Sequence, residues 1–367
     1  MKLSVIILNY NASVFLELCV ESVTRALSSI NSEIIVIDND STDDSMDRLM
    51  SRYKNIKTIR LDDNYGFSKA NNIAVEQSKG EFICLVNPDV IVGEEVFEKS
   101  IAFYENNELN TDIGFCGIQL VDGSGTFLPE SKRRIPKPLS ALGKLLGYSG
   151  AYYDNRILKD QDAPTEVLVG AFMLAKKSVY QECGGLDERY FMYGEDIDLS
   201  YTALKAGYQN YYLGSLSAIH FKGESTVKDK ASQQLFYSAM ILFFKKHYPR
   251  AKFLSQFLSY MLPRITLSRK RTYLEDSATN PSLICVTEDS SFEPSWAEEK
   301  VPLGVLKTNE KAKARFIVDC ASLSFKEVIQ TIKESAGAFK TYRFLTQDRS
   351  AYAGSDTSEN KGEVKKF

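Results

Sequence analysis

The sequence predicts an α/β protein with a mostly parallel sheet flanked by helices, followed by a small C-terminal α/β domain. Strand and helix patterns alternate four times before Asp89, which is typical of a parallel sheet with right-handed crossovers. Polar residues cluster after each of these strands, and a second strand and helix pattern begins at Pro281. Because 367 residues are many for one hydrophobic core, we expect two domains.

The composition excludes several classes of protein. A net charge of −3 gives no sign of a nucleic-acid partner, and no run of 18 apolar residues predicts a membrane span. The six cysteines are scattered without a C-x-x-C pair, so we expect reduced core thiols and neither a zinc site nor a disulfide framework. The apolar start is too short for a signal peptide, and we expect a cytoplasmic protein.

The first half of the chain reads as repeated strand and helix units. Strands are expected at residues 3–8, 33–37 and 56–61. The first helix shows apolar residues at helical spacing, the second is expected from a Ser41 and Asp44 capping box to about Tyr53, and the third from Ser68 to near Gly80. Neither a G-x-G-x-x-G motif nor a Walker loop follows a strand, which argues against a dinucleotide-binding or P-loop protein.

Asp38, at the end of the second strand, has two readings. A short carboxylate on a rigid turn can accept a hydrogen bond from a pyrimidine N3–H or from a ribose hydroxyl. It can equally cap the following helix.

The triplet Asn87-Pro88-Asp89 ends a fourth, apolar strand at residues 81–86. In an open α/β sheet the carboxyl ends of the strands line the ligand crevice, so an aspartate there is well placed for a metal ion and a phosphate. A plain turn is the alternative, since Asn, Pro and Asp all favour turns.

Two later motifs carry further candidate residues. Glu195 and Asp196 lie in the first turn of a predicted helix, where carboxylates suit the helix dipole but also suit a general base in a sugar-lined cleft. His220 and Lys222 leave the same face of an extended segment and suit a metal ion and a phosphate, although a lone histidine is more often a packed residue. Between these motifs and the fourth strand, the basic segment 129–164 is expected to be a mobile flap near the substrates.

Taken together, the motifs over residues 1 to about 250 resemble those of the family 2 glycosyltransferases with the GT-A fold, a Rossmann-like fold, and in particular the rhamnosyltransferase-like branch. The matching segments are Val5-Ile6-Ile7-Leu8-Asn9-Tyr10-Asn11, Val36-Ile37-Asp38-Asn39-Asp40-Ser41-Thr42-Asp43, Asn64-Tyr65-Gly66-Phe67 with Asn71-Asn72, Asn87-Pro88-Asp89, Gly170-Ala171-Phe172, Gly184-Gly185-Leu186-Asp187-Glu188, Gly194-Glu195-Asp196-Ile197-Asp198-Leu199 and His220-Phe221-Lys222-Gly223-Glu224-Ser225.

The resemblance implies an inverting transfer of one sugar from a nucleotide-diphosphate sugar to an acceptor hydroxyl. It favours a deoxythymidine diphosphate rhamnose donor, with UDP-sugars next, and a glycan or lipid-linked acceptor. Asp196 would be the general base, with Glu195 orienting its neighbour or the sugar. The residues that would bind the nucleotide sugar are Asn9, Tyr10, Asn11, Asp38, Asn64, Gly66, Phe67, Asn71, Asn87 and Lys222.

The resemblance also implies a divalent cation, Mg²⁺ or Mn²⁺, held by Asp89 and His220. Asn87 replaces the first aspartate of the family's D-x-D pattern. One negative charge fewer should weaken the ion when substrate is absent, so we expect the ion to arrive largely on the phosphates of the nucleotide.

The remainder of the chain has less specific features. We expect a catalytic domain at residues 1–225, a basic helical segment at 226–280 and an accessory α/β domain at 281–367, whose role would be docking or oligomerisation. The basic, amphipathic stretch 245–271 is expected either to pack on the catalytic domain or to contact the inner face of the membrane peripherally.

Two alternatives to a transferase remain at this point. A non-catalytic scaffold that binds a nucleotide sugar would share the cleft but not the turnover. A sugar-nucleotide pyrophosphorylase would need a Gly- and Arg-rich loop after the first strand, and Asn9-Tyr10-Asn11 does not provide one.

Overall fold

A computed structural model of the chain describes residues 1–106, 112–137, 152–221, 230–249, 281–307, 314–336, 340–357 and 362–367. The strands are β1 (Leu3–Asn9), β2 (Ser32–Asp38), β3 (Lys57–Arg60), β4 (Phe82–Val86), β5 (Val90–Val92), β6 (Ile113–Val121), β7 (Asp162–Thr165), β8 (Phe172–Lys176), β9 (Gln209–His220), β10 (Leu283–Val286), β11 (Glu299–Val301), β12 (Arg315–Asp319), β13 (Thr341–Leu345), β14 (Ala351–Gly354) and β15 (Glu363–Lys366). The helices are α1 (Ser13–Ala26), α2 (Ser45–Arg52), α3 (Gly66–Glu76), α4 (Val96–Glu105), α5 (Lys177–Glu182), α6 (Glu195–Lys205), α7 (Lys230–His247) and α8 (Phe325–Glu334).

The first sheet contains the predicted parallel strands. Among the described residues its order is β3-β2-β1-β4-β8-β6-β9-β5, with β7 paired to β9. β1 to β4 are mutually parallel neighbours and β6 is parallel to β9, while β5, β7 and β8 pair antiparallel. The predicted fold class is confirmed, and the antiparallel strands are additions that the alternation of strands and helices did not indicate.

The burial of β1 explains why it reads as a continuous apolar run. Its alternating side chains face two different hydrophobic clusters, with Val5 and Ile7 in one and Ile6 and Leu8 in the other. The first cluster includes residues of α1, α2 and α4, and the second includes residues of α3, α5 and α6. A strand covered by helices on both faces needs apolar residues at every position.

Two helix starts differ from the sequence prediction. α2 begins at Ser45 rather than at Ser41, so the predicted capping box is wrong. Ser41 Oγ instead accepts hydrogen bonds from Asn9 Nδ2 at 3.0 Å and from Asn11 N at 2.9 Å, which holds the loop before the helix. α3 begins at Gly66, two residues before the predicted cap Ser68.

The segment predicted as a flap contains ordered structure in its described parts, 129–137 and 152–164. It includes β7, and Arg133 forms isolated bridges with Tyr153 and Val167.

The second sheet is formed by the C-terminal part of the chain, in the order β11-β10-β12-β13-β14-β15. Its first four strands are parallel and the last two pair antiparallel, so the polar tail forms an edge hairpin with β14. The strand and helix pattern predicted from Pro281 onward is confirmed. The boundaries drawn between domains stay a prediction.

Phe221 connects the second sheet to the first. Its ring is fully buried, with centroids 5.3 Å from Phe15 of α1 and 5.7 Å from Phe344 of β13. Its carbonyl oxygen accepts a hydrogen bond from Ser355 Oγ at 3.1 Å. The second sheet therefore packs directly behind the end of β9.

The predicted membrane-contact stretch lies mostly outside the described residues, from 250 onward. Its first residues end α7, where Lys246 Nζ donates to Asp187 Oδ2 at 2.8 Å and to Asp198 Oδ2 at 2.7 Å. This part packs on α6. Of the helices in the described ranges, none has the length and apolar character needed to cross a membrane.

Candidate active site

Asn9 and Asp38 lie side by side at the carboxyl ends of β1 and β2, where the register pairs them directly. Asn9 Nδ2 donates to Asp38 Oδ1 at 2.8 Å and to Ser45 Oγ at 2.8 Å. Both residues are buried. This network fixes the Asp38 carboxylate at the sheet edge, and Asp38 does not cap α2, whose N-cap position is Asp44.

The other predicted nucleotide contacts divide into two groups. Asn11 has a left-handed backbone (φ 54°), and its Oδ1 accepts from the amides of Thr42 and Asp43, so this oxygen shapes its own loop. Tyr10 is half-buried beside it.

The second group follows β3. Asn64 Oδ1 accepts from Gly66 N at 3.0 Å, and Asn71 Nδ2 donates to Phe67 O at 2.9 Å within α3. Phe67 N donates to Phe191 O at 2.7 Å, which ties this loop to the segment before α6. The backbone of Gly66 (φ 79°) lies against the Phe191 ring, where an added Cβ would come within 2.6 Å of it.

Asp89 and His220 face each other across the β5 and β9 strand pair. His220 Nε2 lies 3.3 Å from Asp89 Oδ1, and both side chains are buried. Phe221 N also donates to the carbonyl oxygen of Asp89 at 3.1 Å. In the described parts of the chain, neither Asp89 Oδ1 nor His220 Nδ1 has a hydrogen-bond partner.

The chemistry of this pair fits a divalent cation whose other ligands come from outside the described chain. A carboxylate oxygen and an imidazole nitrogen are both metal ligands. Within the described residues no group of three or more His, Cys, Asp or Glu side chains is arranged to hold a metal ion. Two protein ligands leave the remaining positions for phosphate oxygens and water, as is common for Mg²⁺.

Glu195 and Asp196 begin α6 after a sharp turn. Tyr193 (φ 71°) and Gly194 (φ 80°) are both left-handed, which turns the chain so that the helix starts at the acid pair. Asp196 Oδ2 accepts from Gly170 N at 3.0 Å and from Arg133 Nη2 at 2.6 Å, and Asp196 Oδ1 accepts from Ile197 N at 2.7 Å.

Glu195 is in a different electrostatic environment from Asp196. Its side chain is buried, and Oε2 has no hydrogen-bond partner among the described residues. Burial, and next the negative charge of Asp196, raise the pKa of Glu195 to about 8. This site therefore favours the neutral form of Glu195 more than water would.

The acid pair and the Asp89 region are connected through β8. Asn87 N donates to Ala171 O at 3.0 Å, and the neighbouring Gly170 N donates to Asp196. An added Cβ on Gly170 would lie 3.4 Å from Asp196 Cβ. The chain thus brings Asn87-Pro88-Asp89, Asp196 and His220 to one region at the sheet edge, while Lys222 lies outside the described residues.

Several buried polar atoms in this region lack a hydrogen-bond partner in the described chain. Such atoms are rare in folded proteins, and each is able to bind a ligand. They are Asn9 Oδ1, Asp89 Oδ1, Glu195 Oε2 and His220 Nδ1.

Arg133 is the residue of this site that the sequence did not single out. It is buried, although it lies among other basic residues in the segment predicted as a flap. Its contact with Asp196 joins residues 63 positions apart in the sequence, and no local pattern indicates such a pairing.

Comparison with known proteins finds relatives of this chain. The family model described as "Glycosyl transferase family 2" matches residues 4–184. The N-acetylglucosaminyl-diphospho-decaprenol L-rhamnosyltransferase of Mycobacterium tuberculosis is 29% identical over 249 residues, which are 63% of this chain and 79% of that protein. Rhamnosyltransferase WbbL of Escherichia coli is 29% identical over 168 residues, 43% of this chain and 61% of WbbL.

Among solved structures, Staphylococcus aureus TarS 1–349 in complex with UDP-GlcNAc aligns with a TM-score of 0.48 at 21% identity. The alignment covers 66% of this chain and 65% of that chain, slightly less than two thirds of its length. From the family match and the curated relatives, residues 4–184 form a domain of the family 2 glycosyltransferases, enzymes that transfer sugars from nucleotide-sugar donors.

Proposed function

We propose that this protein is an inverting glycosyltransferase that moves one hexose from a nucleotide-diphosphate sugar to a hydroxyl of a lipid-linked or other glycan acceptor. Deoxythymidine diphosphate rhamnose is the favoured donor and a UDP-sugar the second. The name of the Mycobacterium tuberculosis relative, a rhamnosyltransferase acting on a decaprenol-linked N-acetylglucosamine, supports rhamnose as the sugar and a lipid-linked acceptor.

The observation that carries the proposal is the connection between the acid pair and Asp89 through Gly170, Ala171 and Asn87. A transferase needs a base beside the acceptor and a positive charge beside the leaving diphosphate, both within one cleft. The Asp89 and His220 pair supplies two ligands for the second requirement.

The base in this proposal is Asp196. Oδ2 accepts two hydrogen bonds and Oδ1 accepts one, so Oδ1 keeps a lone pair for a proton. As the acceptor oxygen bonds to the anomeric carbon, its proton passes to Asp196 Oδ1. The bond from the anomeric carbon to the phosphate oxygen breaks at the same time, and the electron pair leaves with the nucleoside diphosphate.

Asp89 and His220 would hold a Mg²⁺ or Mn²⁺ ion, which when bound stabilises the charge that develops on the leaving diphosphate. Asp38 would receive a hydroxyl or an N–H of the nucleoside, because its carboxylate is fixed at the sheet edge by Asn9. Asn9 Oδ1, which has no partner in the described chain, is the second acceptor available there.

A donor panel tests the proposal. The purified protein is incubated with dTDP-rhamnose, UDP-GlcNAc, UDP-glucose and UDP-galactose, with Mg²⁺ or Mn²⁺ and an N-acetylglucosaminyl diphosphate lipid. Product is measured by mass spectrometry, with donor omitted as the control. We expect a mass increase of one deoxyhexose with dTDP-rhamnose. Transfer from a UDP-sugar alone would replace the donor assignment, and no transfer from any donor would contradict the acceptor class.

A further inference from the structure

We propose that Arg133 is a positioning residue for the reaction: its guanidinium places a positive charge against the Asp196 carboxylate and turns the Oδ1 lone pair toward the acceptor. The inference rests on the proposed role of Asp196 as the base. It concerns a residue of the basic segment before β7 that contacts the Asp196 carboxylate.

The contact between Arg133 and Asp196 is a buried ion pair and not an exposed one on the surface. The side chain of Arg133 is 7% exposed and that of Asp196 is 11% exposed. Arg133 Nη2 lies 2.6 Å from Asp196 Oδ2 and 2.5 Å from Leu168 O, and Nη1 donates to Tyr152 Oη at 3.1 Å. Its backbone is paired with Val167 in both directions, at 2.9 and 3.0 Å. The guanidinium is therefore held from several sides.

The guanidinium of Arg133 stays positively charged in this position. Burial alone disfavours the charged guanidinium, but attraction to Asp196 and the contacts with Tyr152 outweigh it, so the pKa of Arg133 is raised. A permanent positive charge in contact with a carboxylate favours the ionised carboxylate.

Arg133 also decides which Asp196 oxygen keeps an open acceptor position. Oδ2 receives Arg133 Nη2 and Gly170 N, which occupy its two acceptor directions. Oδ1 receives only Ile197 N. Loss of the guanidinium would let the carboxylate rotate between two oxygens of similar occupancy, and a base misplaced by about 1 Å can cost on the order of 10²-fold in rate.

Two other acidic residues lie close to Asp196 on α6. Glu195 lies next to Asp196, and Asp198 follows two residues later on the same helix. Asp198 is bound by Lys246 Nζ at 2.7 Å and by His247 Nε2 at 2.7 Å, both from α7. Arg133 is the cation that contacts Asp196 itself in the described chain. Without it, the carboxylate would be buried beside a second acid and would bind a proton more readily.

The test is the pH dependence of kcat for Arg133→Met and Arg133→Lys, with saturating donor. Met removes the charge at similar length, and Lys keeps a charge but not the planar fork of donors. For Arg133→Met we expect kcat to fall about 10-fold to 10²-fold and its acidic limb to move up by about one pH unit or more. For Arg133→Lys we expect a smaller movement in the same direction. The KM for the donor should stay within about threefold, since in this proposal Arg133 acts through Asp196.

Arg134→Met is the matched control, because Arg134 is the adjacent arginine and its Nε is 4.0 Å from Asp154. Its acidic limb should coincide with that of the wild type. A merely structural role for Arg133 would lower the melting temperature and leave the acidic limb in place, and this result would overturn the inference. If Arg133→Met does not fold, the acidic limb of the pH profile of Arg133→Lys tests the inference instead.

Asp196→Asn separates this inference from the proposed function. If Asp196→Asn keeps normal turnover, the assignment of the base is wrong. If Asp196→Asn is inactive and the Arg133 variants show an unmoved acidic limb, the base stands and only the positioning role fails.

Discussion

The carboxylate of Glu94 accepts a hydrogen bond from the backbone amide of Phe325 at 2.8 Å, across the boundary between the two sheets. Its second oxygen accepts from Lys326 N at 2.7 Å and from Ser324 Oγ at 3.0 Å. A side chain that follows β5 in the first sheet thus occupies the N-terminus of α8 in the second, where free amides and the helix dipole favour an anion.

Replacing Glu94 should loosen the contact between the two sheets. Glu94→Ala leaves amides at the start of α8 without their acceptor, and we expect a loss of about 1–2 kcal/mol in the free energy of unfolding. Glu95→Ala is the matched control, since Glu95 forms ion pairs with the exposed side chains of Lys99 and Lys326 and should cost less than about 1 kcal/mol. Urea unfolding of both variants measures the difference. Equal losses of unfolding free energy in the two variants would mean that the contact of Glu94 with the start of α8 does not stabilise the protein.

The metal role of Asp89 and His220 predicts a coupled loss of ion and donor binding. In Asp89→Asn and in His220→Gln we expect the stabilisation by donor plus Mn²⁺ in a thermal-shift assay to fall, corresponding to at least about tenfold weaker binding. His247→Gln is the control, because the chain has two histidines and His247 contacts Asp198. A donor shift that is unchanged in both site variants would exclude the pair as ligands.

The base assignment predicts a selective loss of turnover. Asp196→Asn keeps the shape of the side chain but removes the group that takes the acceptor proton, so kcat should fall on the order of 10²-fold or more. Nucleotide binding, measured by calorimetry with the nucleoside diphosphate, should persist. A variant that turns over normally would remove Asp196 from this role.

The buried acid Glu195 predicts how stability changes with pH. Because burial raises its pKa to about 8 in the folded protein, from its ordinary value of 4.5, the folded chain binds this proton more tightly than the unfolded chain. The contribution of Glu195 is complete below about pH 4.5 and is lost as the pH rises through about 8.

Glu195→Gln, which cannot lose a proton, should remove this part of the pH dependence. Between about pH 5 and pH 8, the free energy of unfolding of the wild type should therefore fall relative to that of Glu195→Gln. Chemical unfolding at several pH values measures it, with the exposed residue change Glu188→Gln as the control for one lost carboxylate. A constant difference over this range would contradict the raised pKa.

The sequence by itself determined the parallel strands β1 to β4, the existence of the helices between them and the family. The apolar run of β1 and the polar residues after it depend only on neighbours within a few positions, so periodicity and turn chemistry predict them. The parallel order of β1 to β4 follows, because right-handed crossovers leave few other arrangements. The family motifs are also short, continuous segments, so each can be identified without knowing which residues it contacts in the folded protein.

Only the tertiary structure decided which side chains meet. Arg133 reaches Asp196 across 63 residues, and Glu94 reaches Phe325 across 231 residues. The sequence predicted Arg133 to be part of a mobile flap, and it indicated no role for Glu94. Such contacts depend on how crossovers and sheet packing close long loops, and the energy of a buried ion pair or a helix cap arises only after this closure. The local sequence fixes an element's type, whereas the folded chain decides its partners.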